Sequence, residues 1–262
     1  MTFSHRNQPC LAFTLVELLV VIAIIGILAA LLLPTLGKSK ATALQIQCLG
    51  QNKQLTLALQ MYAQENSDVL PWPNWGSRFQ GWLYTPTNGG PPEPSNPAQT
   101  VYAGGTLWPY LKDVKVYWCP ADYTNTSYFA QRQQKLSSYI MNGGVMGYYM
   151  HPPTANTHKL SAMNPSAYTN WEPSDQPPYI PALVFNDAAS YPMDDEGPSR
   201  RHNSGCNVSA FDGHAQLLKF SKFQQEQLDT PGLLWCDPDS PSGTGGQLGR
   251  ECRLWESSSA PQ

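Results

Sequence analysis

The stretch that decides the reading is "FTLVELLVVIAIIGILAALLLP", residues 13–34. Between positions 13 and 33, Glu17 is the only charged residue. At about 1.5 Å per residue, a helix of this length spans roughly 30 Å, the thickness of a bilayer's hydrocarbon core. The run is apolar at every phase of the helical repeat, whereas a helix packed on one side of a core needs only a stripe. A cleavable secretory signal is the rival reading, but its apolar region usually covers about 7–15 residues and ends at a small-x-small site. This run is longer and passes into more helical sequence. It is expected to be a membrane-spanning helix. A carboxylate at mid-membrane costs roughly 2.5–3.5 kcal/mol on insertion scales, and one near the end still asks for a partner. A cut before Phe13 would supply one, as the new α-amino group of a neighbouring copy.

The rest of the chain bounds the answer. It has 262 residues, a formal net charge of −3 and only 13% charged residues. With 16 basic residues and no long basic run, nucleic acid is not an expected partner. Pro and Gly together make up about a sixth of the residues, which favours a loop-rich body over a helical bundle. Eight Trp and 13 Tyr argue against disorder.

From 35 to about 65 the pattern stays helical. Ala41, Cys48, Leu55 and Tyr62 recur every seven residues, with Leu44 and Leu59 beside them. The membrane helix is therefore expected to continue as an amphipathic one packed on a globular body. Pro34, Gly37 and Gly50 predict bends or weak points, and a stop is expected at "NSD", 66–68. Residues 71–100 hold seven prolines and read as a long loop or arm. Strand candidates follow at 106–111, 115–120, 138–143, 179–185, 206–211 and 214–220. The last pair flanks Asp212-Gly213, a signal for a two-residue hairpin that would put Val208 and Ala210 on one face with Ala215 and Leu217. Residues 237–262 read as a flexible tail.

The opening stretch resembles the N-terminal segment of type IV prepilins and type II secretion pseudopilins. The resemblance implies a leader at 1–12, cleavage between Ala12 and Phe13 by a prepilin peptidase, and N-methylation of Phe13. It implies that Glu17 meets a neighbour's N-terminus during assembly and that Pro34 is the helix-kinking proline. Ala12 stands where the family usually has Gly. The organisation it implies is leader 1–12, spanning helix 13–34, amphipathic continuation 35–66, body 67–236 and tail 237–262. The fold would be α+β and pilin-like, with the outer half of the helix on an antiparallel sheet. Its partners would be the inner membrane and other pilin-like subunits, in a type II secretion pseudopilus or a type IV pilus-like filament. His5 and Arg6 in the leader fit a cytoplasmic N-terminus with the body outside the membrane. A second stretch, "HNSGCNVSAFDGH", with "WCPADY" and "SYIMNGG" upstream, resembles prepilin-type proteins with an H-X9-DG domain. There His202, Asp212 and Gly213 form the motif.

Chemistry is sparse. His202, Asp212 and His214 read either as a hairpin whose incoming loop His202 pins, or as a metal or acid–base set lacking a ligand. Asp187, Asp194, Asp195 and Glu196 form an acidic loop, read as solvated surface with calcium as the alternative. No cofactor is otherwise expected. Catalysis finds no support, since GxSxG, HExxH, P-loop and GxGxxG motifs are missing from the sequence. A Cys48–Cys119 disulfide would staple helix to sheet, adding roughly 2–4 kcal/mol, against two buried thiols. Cys236 and Cys252 could pair within the tail. Trp72, Trp75 and Trp82 read as a small core under the loop, or as a stacking surface of a displayed binding module.

Overall fold

The computed structural model describes residues 14–95, 97–148, 154–192 and 196–244. Ala12, Phe13, Asp194, Asp195 and Cys252 lie outside them. The chain divides into an N-terminal unit, residues 1–43, and a body, residues 44–262.

One helix, α1 (Leu15–Glu65), runs without interruption past Pro34, Gly37 and Gly50. In the N-terminal unit its apolar side chains, among them Leu18, Ile22, Ile25, Leu28 and Leu32, are exposed on every face. In the body the helix changes character, and Cys48, Leu55, Ala58, Leu59 and Ala63 are buried. Burial of each leucine contributes about 1.5–3 kcal/mol. The helix ends where expected: Ser67 and Asp68 take positive φ, and the Asp68 amide donates to Ala63 O at 2.8 Å. This satisfies a carbonyl the helix itself leaves open.

Among the described residues the body's sheet has five strands: β1 (Ile140–Asn142), β2 (Tyr168–Trp171), β3 (Ala189–Ser190), β4 (Gly205–Ala210) and β5 (Ala215–Lys219). Their spatial order is β3-β1-β2-β4-β5. All neighbours are antiparallel except β1 and β3. The α+β class is as expected, while the sheet is mixed instead of purely antiparallel. One core cluster joins Cys48, Leu55 and Leu59 of α1 to Met141, Tyr139 and the aromatics Trp72, Trp82 and Tyr117. The second joins Ile140, Tyr168, Trp171, Val208 and Leu218 to Trp235 and to Phe223 of a short helix, Phe220–Glu226. Every residue of β4 is buried, because the sheet is covered on both faces.

Three expected strands are helical turns. Trp108–Leu111 and Pro181–Val184 are short α-helices, each with proline in the first turn, where a missing N–H and a fixed φ are no handicap. Val114–Tyr117 is a 3-10 turn whose Asp113 side chain accepts from the Lys115 amide at 2.9 Å. The Pro-rich segment is largely irregular, as the loop reading expects, but it contributes to the core instead of standing off as an arm. Trp72, Asn74, Trp82, Leu83 and Tyr84 are buried in it, with Trp82 Nε1 donating to Ala188 O at 3.0 Å.

The terminal hairpin forms, but not with a two-residue turn. Ser209 faces Ala215 and Val208 faces Gln216, so residues 211–213 make a three-residue loop. Gly213, at φ 93, closes it, its amide donating to Ala210 O at 3.0 Å. A one-residue change of register exchanges faces. Cys206, Val208 and Ala210 therefore share a face with Gln216 and Leu218, while Ala215 and Leu217 share one with Asn207 and Ser209. The structure buries Leu218 and leaves Leu217 half-buried.

Gly213→Ala should destabilise the body by about 1–2 kcal/mol, because a Cβ disfavours the left-handed region. Urea unfolding of the full chain checks this; an unchanged midpoint would show that the loop relaxes at no cost.

Candidate functional site

Glu17 sits at the start of α1. The Thr14 hydroxyl oxygen accepts from the Glu17 amide at 3.2 Å, and Glu17 Oε2 accepts from the Thr14 amide at 2.8 Å and from its hydroxyl at 2.7 Å. This is a capping box, in which two otherwise unpaired amides at the helix start are satisfied reciprocally. The T-x-x-E spacing announces it in the sequence, yet the apolar context draws attention to the charge alone. Pro34 lies within the helix, and Thr35 beside it returns its hydroxyl to Leu32 O at 2.8 Å.

His202 and Asp212 do not meet as partners. Asp212 is exposed and caps its own turn, accepting from the His214 amide at 2.9 Å and lying 2.6 Å from His214 Nδ1. The His202 backbone pins the incoming loop, exchanging hydrogen bonds with Gly205 at 3.1 and 2.9 Å. Its ring lies buried beside Cys119 Sγ, 3.2 Å from Nε2, and Glu172 Oε1, 3.3 Å from Nε2. Cys48 Sγ contacts the same Glu172 oxygen, and it lies 3.0 Å from Tyr139 Oη. Cys48 and Cys119 thus come together, both as free thiols. Burial pushes the Cys48 thiol up, while the bond from Cys48 holds Cys119 below its ordinary value. Burial opposes charge on His202, but the bonds to Cys119 and Glu172 outweigh it and raise the ring to about 9.

Glu172 was not singled out by the sequence. Its only signal is a carboxylate directly after the aromatic "YTNW". The same holds for a buried ion cluster nearby. Arg132 grips Asp122 with two bonds of 2.9 and 2.8 Å and Asp175 with two more of 2.9 and 2.5 Å, its guanidinium 3.9 Å from the Phe185 ring centroid. Arg201 adds a contact to Asp122 at 3.2 Å. Burial alone would raise the Asp122 carboxyl, but Arg201 and Arg132 hold it below its ordinary value.

In the acidic loop, Asp187 accepts from the amides of Gly76 and Ala189 at 2.7 and 2.8 Å. Glu196 Oε2 accepts from the Tyr191 amide at 2.5 Å. Both carboxylates tie down backbone. Cys236 is buried, and its expected partner Cys252 falls outside the described residues. Trp72 and Trp82 are buried, and Trp75 packs edge-on against Tyr148 and Tyr191. They fill the core under the loop.

Residues 9–33 match the prokaryotic N-terminal methylation motif. No curated protein and no solved structure matches the chain. The motif and the long apolar helix together suggest a pilin-like, membrane-anchored subunit, and the motif implies processing by a prepilin peptidase.

Burial raises the Asp187 carboxyl from its ordinary 3.8 to about 7, against the two amide bonds that favour the anion. Between about pH 4 and 7 only the folded state holds this proton. The stability it contributes is therefore complete below about pH 4 and is lost as pH rises through about 7, on the order of 4 kcal/mol over the window. Urea unfolding of the parent and Asp187→Asn at several pH values should show the parent losing stability relative to the variant over that interval. Parallel curves would refute the assignment.

Proposed function

We propose that this chain is a pilin-like subunit, cut between Ala12 and Phe13, methylated on Phe13, and assembled into a type II secretion pseudopilus or a type IV pilus-like filament. The observation that carries the reading is the methylation motif at residues 9–33 leading directly into a helix apolar on every face. Such a helix is stable in lipid as a monomer and forms a filament core when bundled. The proposed role is structural, not catalytic. The N-terminus faces the cytoplasm and the body lies across the inner membrane.

Glu17 serves twice in this reading. Thr14 engages Oε2, which holds the carboxylate at the helix start. Oε1 is the oxygen that the methylated amine of a neighbouring Phe13 meets. A misregistered neighbour leaves the charge unpaired in an apolar bundle, so the pairing sets the stagger of subunits.

Mass analysis of membrane-extracted protein should find a chain starting at N-methylated Phe13. A chain retaining residues 1–12 would leave a plain anchored protein. Glu17→Gln separates the two roles, since glutamine keeps the capping box but not the charge. This variant should insert normally, keep its helix by circular dichroism, and drop out of the sheared filament fraction. Normal co-assembly of Glu17→Gln would sink the proposed pairing.

A further inference from the structure

The four side chains around His202 have the composition of a metal centre. Cys48 Sγ, Cys119 Sγ, one Glu172 oxygen and one His202 nitrogen all lie within 4.8 Å of one another, and all four residues are buried. They come from α1, the turn after Val114–Tyr117, the end of β2 and the loop before β4. We propose that they bind one thiophilic divalent cation of the zinc class, as a closed structural site. This goes beyond filament assembly and does not depend on it.

The donor set is the first argument. Two thiolates, an imidazole and a carboxylate are the ligand types zinc takes, four at a time, and a fully buried set leaves no open position for catalysis. Spacing is the second. Zinc bonds of about 2.0–2.3 Å in a tetrahedron put neighbouring ligand atoms roughly 3.3–3.8 Å apart. The Cys119–His202 and His202–Glu172 separations, 3.2 and 3.3 Å, are already close to such edges. The third argument is the surrounding shell. The Ala121 amide donates to Cys119 Sγ at 3.4 Å, Tyr139 Oη lies 3.0 Å from Cys48 Sγ, and the Asn207 amide donates to Glu172 Oε2 at 3.1 Å. Such contacts orient ligands and support their charge. Two thiolates and a carboxylate around a dication leave one negative charge, and buried Arg201, paired with Asp122 and Asp175, also attracts Cys119 and Glu172. The ion would clip the body half of α1 to the sheet. On binding, each thiol and the protonated His202 ring release a proton to solvent.

The test uses the full chain in detergent, purified without chelator. Elemental analysis should find one zinc per chain. Replacement by cobalt(II) should give tetrahedral d–d bands with thiolate-to-cobalt charge transfer. Cys119→Ser, which leaves Cys48 as the one thiolate, should lose about half of that charge-transfer intensity. Tyr139→Phe, which keeps the ring in the core, should fold and bind about 10- to 100-fold more weakly. A folded parent that takes up neither metal overturns the proposal, as does a Cys48–Cys119 disulfide found by non-reducing mass mapping. Cobalt bound without a thiolate band, as at the His158, Asp237 and Asp239 group, overturns it too.

Discussion

One helix has to satisfy two different surroundings, and the rest of the structure follows from that. The first part of α1 exposes apolar side chains on all sides, while from residue 44 onward one face of the helix is buried in the body and the other, with Ile46, Leu57 and Met61, stays exposed. Lipid accepts the former because a helix bonds its backbone groups internally, with Pro34 the one interior residue that has no N–H to give. The latter requires a partner surface, and the chain builds the sheet to provide one.

That surface is polar to an unusual degree. Asn170 Nδ2 donates to Asn52 Oδ1 at 2.6 Å, Gln60 Nε2 to Phe211 O at 2.9 Å, and Asn207 Nδ2 to Gln45 O at 3.3 Å. Gln51 accepts from Tyr139 Oη at 3.1 Å and donates to Lys115 O at 2.9 Å. Buried polar groups are costly unless paired, so these bonds allow few alternative positions of helix on sheet. The Cys48, Cys119, Glu172 and His202 group is one more link in this seam. These bonds run beside the apolar cluster of Leu55, Leu59 and Met141, and a second apolar cluster holds Ile140, Trp171, Val208, Leu218 and Phe223.

This arrangement explains which strands were hard to see. β2, "YTNW", has no apolar alternation because a β-bulge between Tyr168 and Asn170 breaks its period, which puts Tyr168 and Trp171 in one cluster while Asn170 bonds Asn52 of the helix. The Asp212-Gly213 signal located the hairpin correctly but misjudged its loop by one residue, and with it the face of every β5 side chain. Proline decided two of the misread segments: an apolar run with proline near its start suits a helical first turn as well as a strand end.

Local sequence was enough for the elements whose physics is local. Residues 13–34 establish a lipid-compatible helix through composition and length. "TLVE" establishes its cap, "NSD" its end, and the methylation motif the class of processing. What only the tertiary structure decided are contacts between residues far apart in the chain. Cys48, Cys119, Glu172 and His202 lie on four separate segments without ligand-type spacing. The sequence singles out His202 and pairs Cys48 with Cys119, but nothing in it adds Glu172 or joins the four until helix, loop and sheet are brought together. Periodicity reports what a segment does with its own side chains; a shared buried site is a property of the packing.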